Sequence, residues 1–336
     1  MIRILTIDGG GIRGIIPAVI LDYMEKELQR KSGNSAACLA DYFDLIAGTS
    51  TGGILACFYL LPGSAGEGMK SKYPASEAIN LYANHGKDIF KPKTNKLFWG
   101  ISNLFSEKYT EKNLEKILTD VMGDVRLSET RKNALVTAYD ITSRKAVLFS
   151  TPVAKQYTHR DYFLRDVARA TSAAPTYFKL ATVHSIGGAA AYLIDGAMFA
   201  ADPTLCALVE ANKSTFPTCR QPDISDMYIV SIGTGKVIKQ YDYQKAQKWG
   251  IIQWAVPVLN ILMSASSEVG SYQVQQLFSV AGCASNYVRL EPGLNKAAPD
   301  MDDASQNNIE KLKDAGLYYI SENVEMLDKI VDTIVN

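Results

Sequence analysis

The sequence predicts an α/β fold built on a central, mainly parallel β-sheet. Two segments carry this prediction, because in each of them an apolar strand runs into a glycine-rich turn that opens a helix. The first segment is the strand Ile2–Ile7 with the loop 8–14, and the second is the strand 42–47 with the turn 48–52. Strands that alternate with helices in this way typically pair in parallel.

The other elements follow from hydrophobic periodicity and capping residues. Helices are expected at about residues 15–24, 51–58, 76–90, 110–122 and 163–173, with one long helix from about Ser305 onward. Further strands are expected at residues 134–139, 146–149, 192–194, 227–232 and 287–290. We find no internal repeat and no linker long enough to separate domains. Residues 1–336 are therefore expected to form a single domain, with a motif core at about 4–210 and a helical part at about 240–336 packed on it.

Composition argues against several classes of protein. The 35 basic and 35 acidic residues give a formal net charge of zero, so no nucleic-acid partner is expected. The five cysteines are scattered and lack C-x-x-C spacing, which indicates free thiols. The chain enters its first strand with neither a charged leader nor a cleavage site, so no cleaved signal peptide is expected. The longest apolar stretch, Trp249–Met263, is interrupted and too short to cross a bilayer. We expect a cytoplasmic or peripheral membrane protein without a transmembrane segment.

Ser50 is the first candidate catalytic residue. It lies between Gly48 and Gly52 in a G-x-S-x-G pattern, at the turn where a buried strand passes into a helix. Glycines on both sides let the neighbouring backbone approach closely, so that the hydroxyl is presented at the carboxyl end of the strand. Taken alone, the same residues also fit an ordinary turn in which Thr49 or Ser50 caps the helix.

The glycine loop after the first strand matches G-x-G-x-x-G, the pattern of a dinucleotide site. Such a site needs an acidic residue at the end of the second strand, but here that strand ends in Gly48-Thr49-Ser50. With a potential nucleophile nearby, the loop is better explained as an oxyanion hole formed by backbone N–H groups. The candidate donors are Gly9, Gly10 and Gly11.

A serine nucleophile needs a general base. The chain has three histidines, His85, His159 and His184. None of them follows Asp195, so a triad in the usual hydrolase order would need an earlier acid such as Asp140 with His159 or His184. Asp195 is the better candidate, because a short apolar strand delivers it to Gly196 at a sheet edge. Without the other motifs, Asp195-Gly196 would be explained as a plain turn.

Together the three motifs resemble the patatin-like phospholipase family. Residues 8–14, 48–52 and 195–197 are similar to its glycine-rich loop, elbow and Asp-Gly-Gly/Ala motif, in the same order. The resemblance extends to residues 15–17, 40–44, 170–178 and 301–305, and so covers most of the chain. One small departure is Ala197, where many relatives have glycine.

The resemblance implies a three-layer α/β/α acyl hydrolase with a Ser–Asp dyad, without histidine, metal or cofactor. Ser50 would be the nucleophile and Asp195 the general base, acting on phospholipids or related lipids during transient contact with a membrane. The residues that would support the motifs are Asp8, Arg13, Gly14, Gly48, Gly52 and Gly196. Arg13 would either meet a lipid phosphate or an anionic substrate end, or be a surface charge that caps the loop.

Several alternatives remain open at this point. The protein could be a constitutive lipase, a regulated effector that needs a small-molecule or protein activator, or a non-catalytic storage or scaffold protein. Residues 249–263 are expected to pack in the core, with a partner or a membrane as the alternative. The aromatic segment 97–105 is also expected to pack on the core, with a lid or an interfacial anchor as the alternative. Asp303 or Ser305 is expected to cap the following helix rather than to bind calcium.

Overall fold

A computed structural model describes residues 1–63, 70–92, 107–237 and 240–336. In this part of the chain the strands are β1 (Ile2–Ile7), β2 (Leu45–Gly48), β3 (Asn133–Asp140), β4 (Lys145–Ser150), β5 (Ala181–His184), β6 (Ala190–Asp195), β7 (Met227–Ile232) and β8 (Tyr287–Leu290). The helices are α1 (Ile15–Ser32), α2 (Leu39–Tyr42), α3 (Thr51–Tyr59), α4 (Ser76–Ile89), α5 (Glu111–Met122), α6 (Thr151–Gln156), α7 (Leu164–Thr171), α8 (Thr204–Lys213), α9 (Tyr243–Ala246), α10 (Ile251–Val280), α11 (Gln306–Glu322) and α12 (Val324–Val335).

The strands form one mixed sheet in the order β5-β6-β3-β2-β1-β7-β8, with β4 paired to β3. The five strands from β3 to β8 along this order are parallel. The pairs β3–β4, β3–β6 and β5–β6 are antiparallel. The expected parallel sheet is therefore confirmed at its centre, and antiparallel strands are added beside β3.

Helices cover both faces of the sheet, which gives the three-layer α/β/α arrangement. One face carries the larger hydrophobic cluster, in which residues of α1, α3, α7, α11 and α12 pack on side chains such as Leu5, Ile46 and Val230. The other face carries a smaller cluster, in which α8 and α10 pack on Ile4, Leu45 and neighbouring side chains. Alternate residues of the central strands point to opposite clusters, so these strands are apolar on both faces.

Three short elements were not expected from the sequence: β5, α6 and α8. Each is ten residues or shorter, and a signal of this length is easily lost among loop residues. The helix expected from Ser305 onward is in fact two helices, α11 and α12. Asn323 separates them, because its backbone is not helical (φ −131°, ψ 22°). The expected cap is confirmed at Ser305, whose hydroxyl accepts a hydrogen bond from the N–H of Asn308.

The expectation that residues 249–263 pack in the core is wrong for most of their side chains. This stretch forms the start of α10, which is held to the sheet mainly further along, by Val274 and Phe278. Ile251 is 92% exposed and Val256 is 46% exposed. Among the described residues, no helix is long and apolar enough to cross a membrane. The aromatic segment 97–105 lies outside the described residues.

Candidate active site

The strand pairing brings Ser50 and Asp195 together beside β3. β2 pairs with the first half of β3 and ends with Gly48 opposite Val136. β6 runs in the opposite direction, pairs with the last three residues of β3 and ends with Asp195 opposite Ala138. The two strand ends therefore meet two residues apart along β3. The hydroxyl of Ser50 lies next to the carboxylate of Asp195 there, close enough to lower the pKa of that carboxyl.

Ser50 occupies a strained turn between β2 and α3. Its backbone has φ 56° and ψ −123°, in the region that L-residues rarely adopt. Its N–H donates to Oγ1 of Thr171 over 2.8 Å, which holds the turn in place. A Cβ on Gly48 would lie 2.0 Å from the carbonyl oxygen of Gly52, and one on Gly52 would lie 2.0 Å from that of Ile7. Both glycines are needed because backbone packs directly against them.

Asp195 is almost completely buried, with 1% of its surface exposed. Burial raises its pKa from 3.8 to about 7, although the hydrogen bond from the Ala197 N–H and the nearby Ser50 hydroxyl act in the opposite direction. The Ala197 N–H donates to Oδ1 over 2.8 Å and fixes the carboxylate plane. A Cβ on Gly196 would lie 2.1 Å from Oγ1 of Thr137, so the turn packs directly on β3. The result is a carboxyl group whose pKa would suit proton transfer near neutral pH.

The glycine loop passes next to Ser50, but it differs from our expectation at Gly9. The Gly9 N–H donates to the carbonyl of Ala201 over 3.0 Å, so it is not free to bind an oxyanion. Within the described ranges, no acceptor is found for the N–H groups of Gly10 and Gly11. Gly11 has φ +60°, and a Cβ there would lie 2.2 Å from the carbonyl oxygen of Met301. The free donors are therefore those of Gly10 and Gly11.

Arg13 is buried, with only 8% of its surface exposed, so the expectation of a surface charge is wrong. Its Nε donates to the carbonyl of Gly10 over 3.3 Å. Burial lowers the pKa of its guanidinium to about 10. A Cβ on Gly14 would lie 2.2 Å from Oγ1 of Thr51, because the end of the loop packs on α3. Both residues brace the glycine loop from within.

Asp8 begins the loop and pairs with Arg289 on β8. The two guanidinium nitrogens lie 2.8 and 2.6 Å from the two carboxylate oxygens. Sequence reasoning did not single out Arg289. The available signal was a charged residue inside the apolar strand 287–290, since a buried strand rarely keeps a charge without a partner.

An apolar pocket opens next to the β2 and β6 strand ends. Ser50 and Asp195 both line it, and its walls are mostly hydrocarbon. The side chains that form these walls include Ile54, Ile89, Leu114, Phe178, Leu259 and Met263. Four helices, α3, α4, α5 and α10, therefore contribute to the walls of the pocket around the Ser50 hydroxyl. A pocket with this lining is suited to a long aliphatic chain.

None of the three histidines lines this pocket, although all of them lie in the described ranges. His159 contacts the ring of Tyr157, and His184 is exposed on β5. Asp140 accepts hydrogen bonds from Thr142 and Ser143 in the turn after β3. A triad built from these residues is not assembled around Ser50.

Comparison with known proteins shows the family of this chain. The family model described as patatin-like phospholipase matches residues 5–208. The chain belongs to the patatin-like phospholipase family. A lipid acyl hydrolase activity is consistent with this membership.

Curated patatin-like relatives match nearly the whole chain. Patatin-like protein 2 of Oryza sativa is 33% identical, and the match covers 98% of this chain and 86% of the relative. Patatin-08 of Solanum tuberosum is 33% identical over 94% of this chain and 83% of its own. A third relative, also from Solanum tuberosum, is named probable inactive patatin-3-Kuras 1 and is 33% identical over 96% of this chain and 87% of its own.

Among solved structures, VipD from Legionella pneumophila aligns with 95% of this chain and 67% of that chain. The sequence identity is 13% and the TM-score is 0.35. A similarity of this size supports no structural argument.

Proposed function

We propose that this patatin-like protein hydrolyses ester-linked acyl chains of phospholipids or related lipids, with Ser50 as nucleophile and Asp195 as general base. The observation that carries the proposal is the position of the Ser50 hydroxyl next to a buried Asp195, where both residues line one apolar pocket. Nucleophile and base are within reach of each other, and the base has a pKa near neutrality. The pocket offers space for an acyl chain next to the hydroxyl.

In the first step, Asp195 accepts the hydroxyl proton while Oγ of Ser50 attacks the ester carbonyl carbon. The carbonyl oxygen becomes an oxyanion, for which the free N–H groups of Gly10 and Gly11 are the proposed donors. The start of α3 directly after Ser50 adds the partial positive charge of a helix N-terminus. The intermediate collapses, the C–O bond to the alcohol breaks, and the alcohol leaves with the proton from Asp195.

In the second step, a water molecule attacks the acyl–serine ester. Asp195 takes the proton from this water, and the tetrahedral intermediate again collapses. Oγ of Ser50 leaves and recovers its proton from Asp195, while the fatty acid is released. One ester and one water give one acid and one alcohol, so the enzyme returns to its starting state.

The experiment measures fatty acid released from mixed phospholipid vesicles and p-nitrophenol released from a short-chain p-nitrophenyl ester, with a chelator present throughout. Wild type should hydrolyse both substrates, whereas Ser50→Ala and Asp195→Asn should fall to background. Cys57→Ser, a buried residue of α3 outside the pocket, tests whether a change in that helix alone lowers activity. Activity that persists in Ser50→Ala would overturn the mechanism, and inactivity of the wild type would show that this chain alone is not a constitutive lipase.

A further inference from the structure

The first part of α10 carries apolar side chains on two opposite faces. From Trp249 to Ser267 the sequence contains no charged residue. One face is directed inward, where Leu259 and Met263 line the active-site pocket. The opposite face has no cover in the described part of the chain and is directed to solvent. A helix that packs on a protein by one face normally has polar residues on the other.

The exposed face is a continuous stripe at helical spacing. Successive steps of three, four, three and one residues connect its first five members, which are Ile251, Trp254, Val258, Ile261 and Leu262. Ile251 is 92% exposed, and the other four are 38–45% exposed. Val269 and Tyr272 continue the same stripe, and they too are exposed. This spacing places all seven on one side of the helix.

An aromatic cluster marks the beginning of the stripe. The ring of Trp249 lies 5.5 Å from that of Tyr241 and 5.0 Å from that of Trp254, in edge-to-face contact. Trp and Tyr are enriched where hydrocarbon meets water, because their rings combine an apolar body with a polar group. Lys245 and Lys248 are exposed next to this cluster, where their charges would favour an anionic lipid surface.

We propose that this stripe, Ile251 to Tyr272 with Trp249 and Tyr241, lies in the headgroup region of a phospholipid bilayer. This proposal rests on the proposed function, because a bilayer is inferred as the binding partner from the position of the stripe next to the proposed acyl-chain pocket. Val258, Ile261 and Leu262 are within one helical turn of Leu259 and Met263, so a membrane on the outer face lies beside the pocket wall. A lipid could then move from the bilayer to Ser50 without its acyl chain crossing bulk water.

Binding is measured by flotation with vesicles of phosphatidylcholine and phosphatidylserine. The Ser50→Ala variant serves as the background, so that the vesicles are not consumed. Adding Ile261→Glu and Leu262→Glu should lower the bound fraction about tenfold or more, since two charges are placed in the headgroup–acyl boundary. The matched control adds Leu317→Glu and Tyr318→Glu on α11, which are 58% and 55% exposed, and should bind like the background.

Measurements of hydrolysis test the membrane proposal separately from the hydrolase proposal. In a chain with Ser50 intact, the Ile261→Glu, Leu262→Glu pair should lower hydrolysis of vesicle lipid about tenfold and leave hydrolysis of the short-chain ester unchanged. If wild type cleaves neither substrate, the hydrolase proposal fails for this chain acting alone, while the flotation result still decides the membrane proposal. The membrane proposal is overturned if the Ser50→Ala background does not float or if the glutamate pair floats equally well. It is also overturned if that background forms a dimer in sedimentation velocity that the glutamate pair abolishes, because the stripe would then be an interface between two copies.

Discussion

The guanidinium of Arg289 forms a bidentate ion pair with the carboxylate of Asp8, although 281 residues separate them in sequence. The pair joins the end of β8 to the first residue of the glycine loop. Asp202 lies 3.5 Å from the same guanidinium, in the segment that follows the Asp195 turn. Burial alone would lower the pKa of Arg289, but the carboxylates of Asp8 and Asp202 hold it well above its ordinary value. One side chain thus connects the segments that carry the proposed oxyanion donors and the proposed general base.

Replacing Arg289 should therefore damage both stability and activity. Arg289→Met leaves Asp8 buried without its partner, so the free energy of unfolding should fall by about 3–5 kcal/mol. Arg289→Lys keeps the charge but loses the two parallel N–H donors of the guanidinium, so its stability and activity should lie between those of wild type and Arg289→Met. Urea denaturation and hydrolysis of the short-chain ester measure the two effects. Arg30→Met, at an exposed ion pair with Glu27, should leave both unchanged. An Arg289→Met protein with wild-type stability would contradict this role.

The pKa of Asp195 predicts how activity depends on pH. The carboxylate must be ionised to accept the serine proton, so kcat/KM should rise with pH and level off above about 7. A soluble short-chain ester is the suitable substrate, because its own charge does not change over this range. A profile that already levels off near the ordinary aspartate pKa of about 4 would show that burial does not control this base.

The same carboxylate should make stability depend on pH. Its pKa is raised from 3.8 in the unfolded chain to about 7 in the fold, so the folded state binds the proton more tightly. The contribution of Asp195 is therefore most favourable below about pH 4, and it is lost as pH rises through about 7.

The measurement is the free energy of unfolding of wild type and Asp195→Asn at several pH values. The difference between the two proteins should shift by roughly 4 kcal/mol in favour of Asp195→Asn between about pH 4 and pH 8. The comparison cancels the titration of all other groups. A difference that stays constant across this range would contradict the raised pKa.

Gly10 should not tolerate a side chain. A Cβ there would lie 2.1 Å from Oγ1 and 2.6 Å from Cβ of Thr234, so Gly10→Ala must displace the loop and its N–H donors. We expect kcat to fall about 100-fold or more, the size of effect seen when an oxyanion donor is lost.

A second substitution tests this steric explanation. Thr234→Gly removes all three side-chain atoms that the new methyl group would meet, Oγ1, Cβ and Cγ2. Adding it to Gly10→Ala should therefore recover part of the lost activity, although the hydrogen bond from Thr234 to the Gly9 carbonyl is lost. Gly270→Ala on α10 is the matched control, because the nearest atom lies 4.0 Å away. Wild-type kcat in Gly10→Ala would contradict the close packing of the loop.

Much of the candidate site could be predicted from local sequence because its parts are local structures. A strand that ends in glycines before a helix is recognisable within about ten residues, and this was enough to find Ser50 and the loop that begins at Asp8. The strand 192–194 likewise pointed to Asp195. Hydrophobic patterns predicted most of the larger elements, such as β1, α4 and β7. The reason is that apolar residues recur with the helical period in a helix and form a short run in a buried strand.

Relationships between distant segments were decided only by the tertiary structure. No local pattern indicates that β6 runs antiparallel beside β3, yet this pairing carries Asp195 to Ser50. The hydrogen bond from the Gly9 N–H to the Ala201 carbonyl and the ion pair of Arg289 with Asp8 also join segments that are distant in sequence, so no local pattern predicts them.

The first part of α10 shows most plainly why the sequence alone does not predict contacts between distant segments. An apolar sequence determines that a surface is costly to expose to water, and by itself it says nothing about what covers that surface. The sequence of this protein therefore determined the local turns, the choice of Ser50 and Asp195 as candidate catalytic residues, and the apolar character of residues 249–263. The packing of distant strands decided which groups meet in the active site and left one face of α10 directed to solvent.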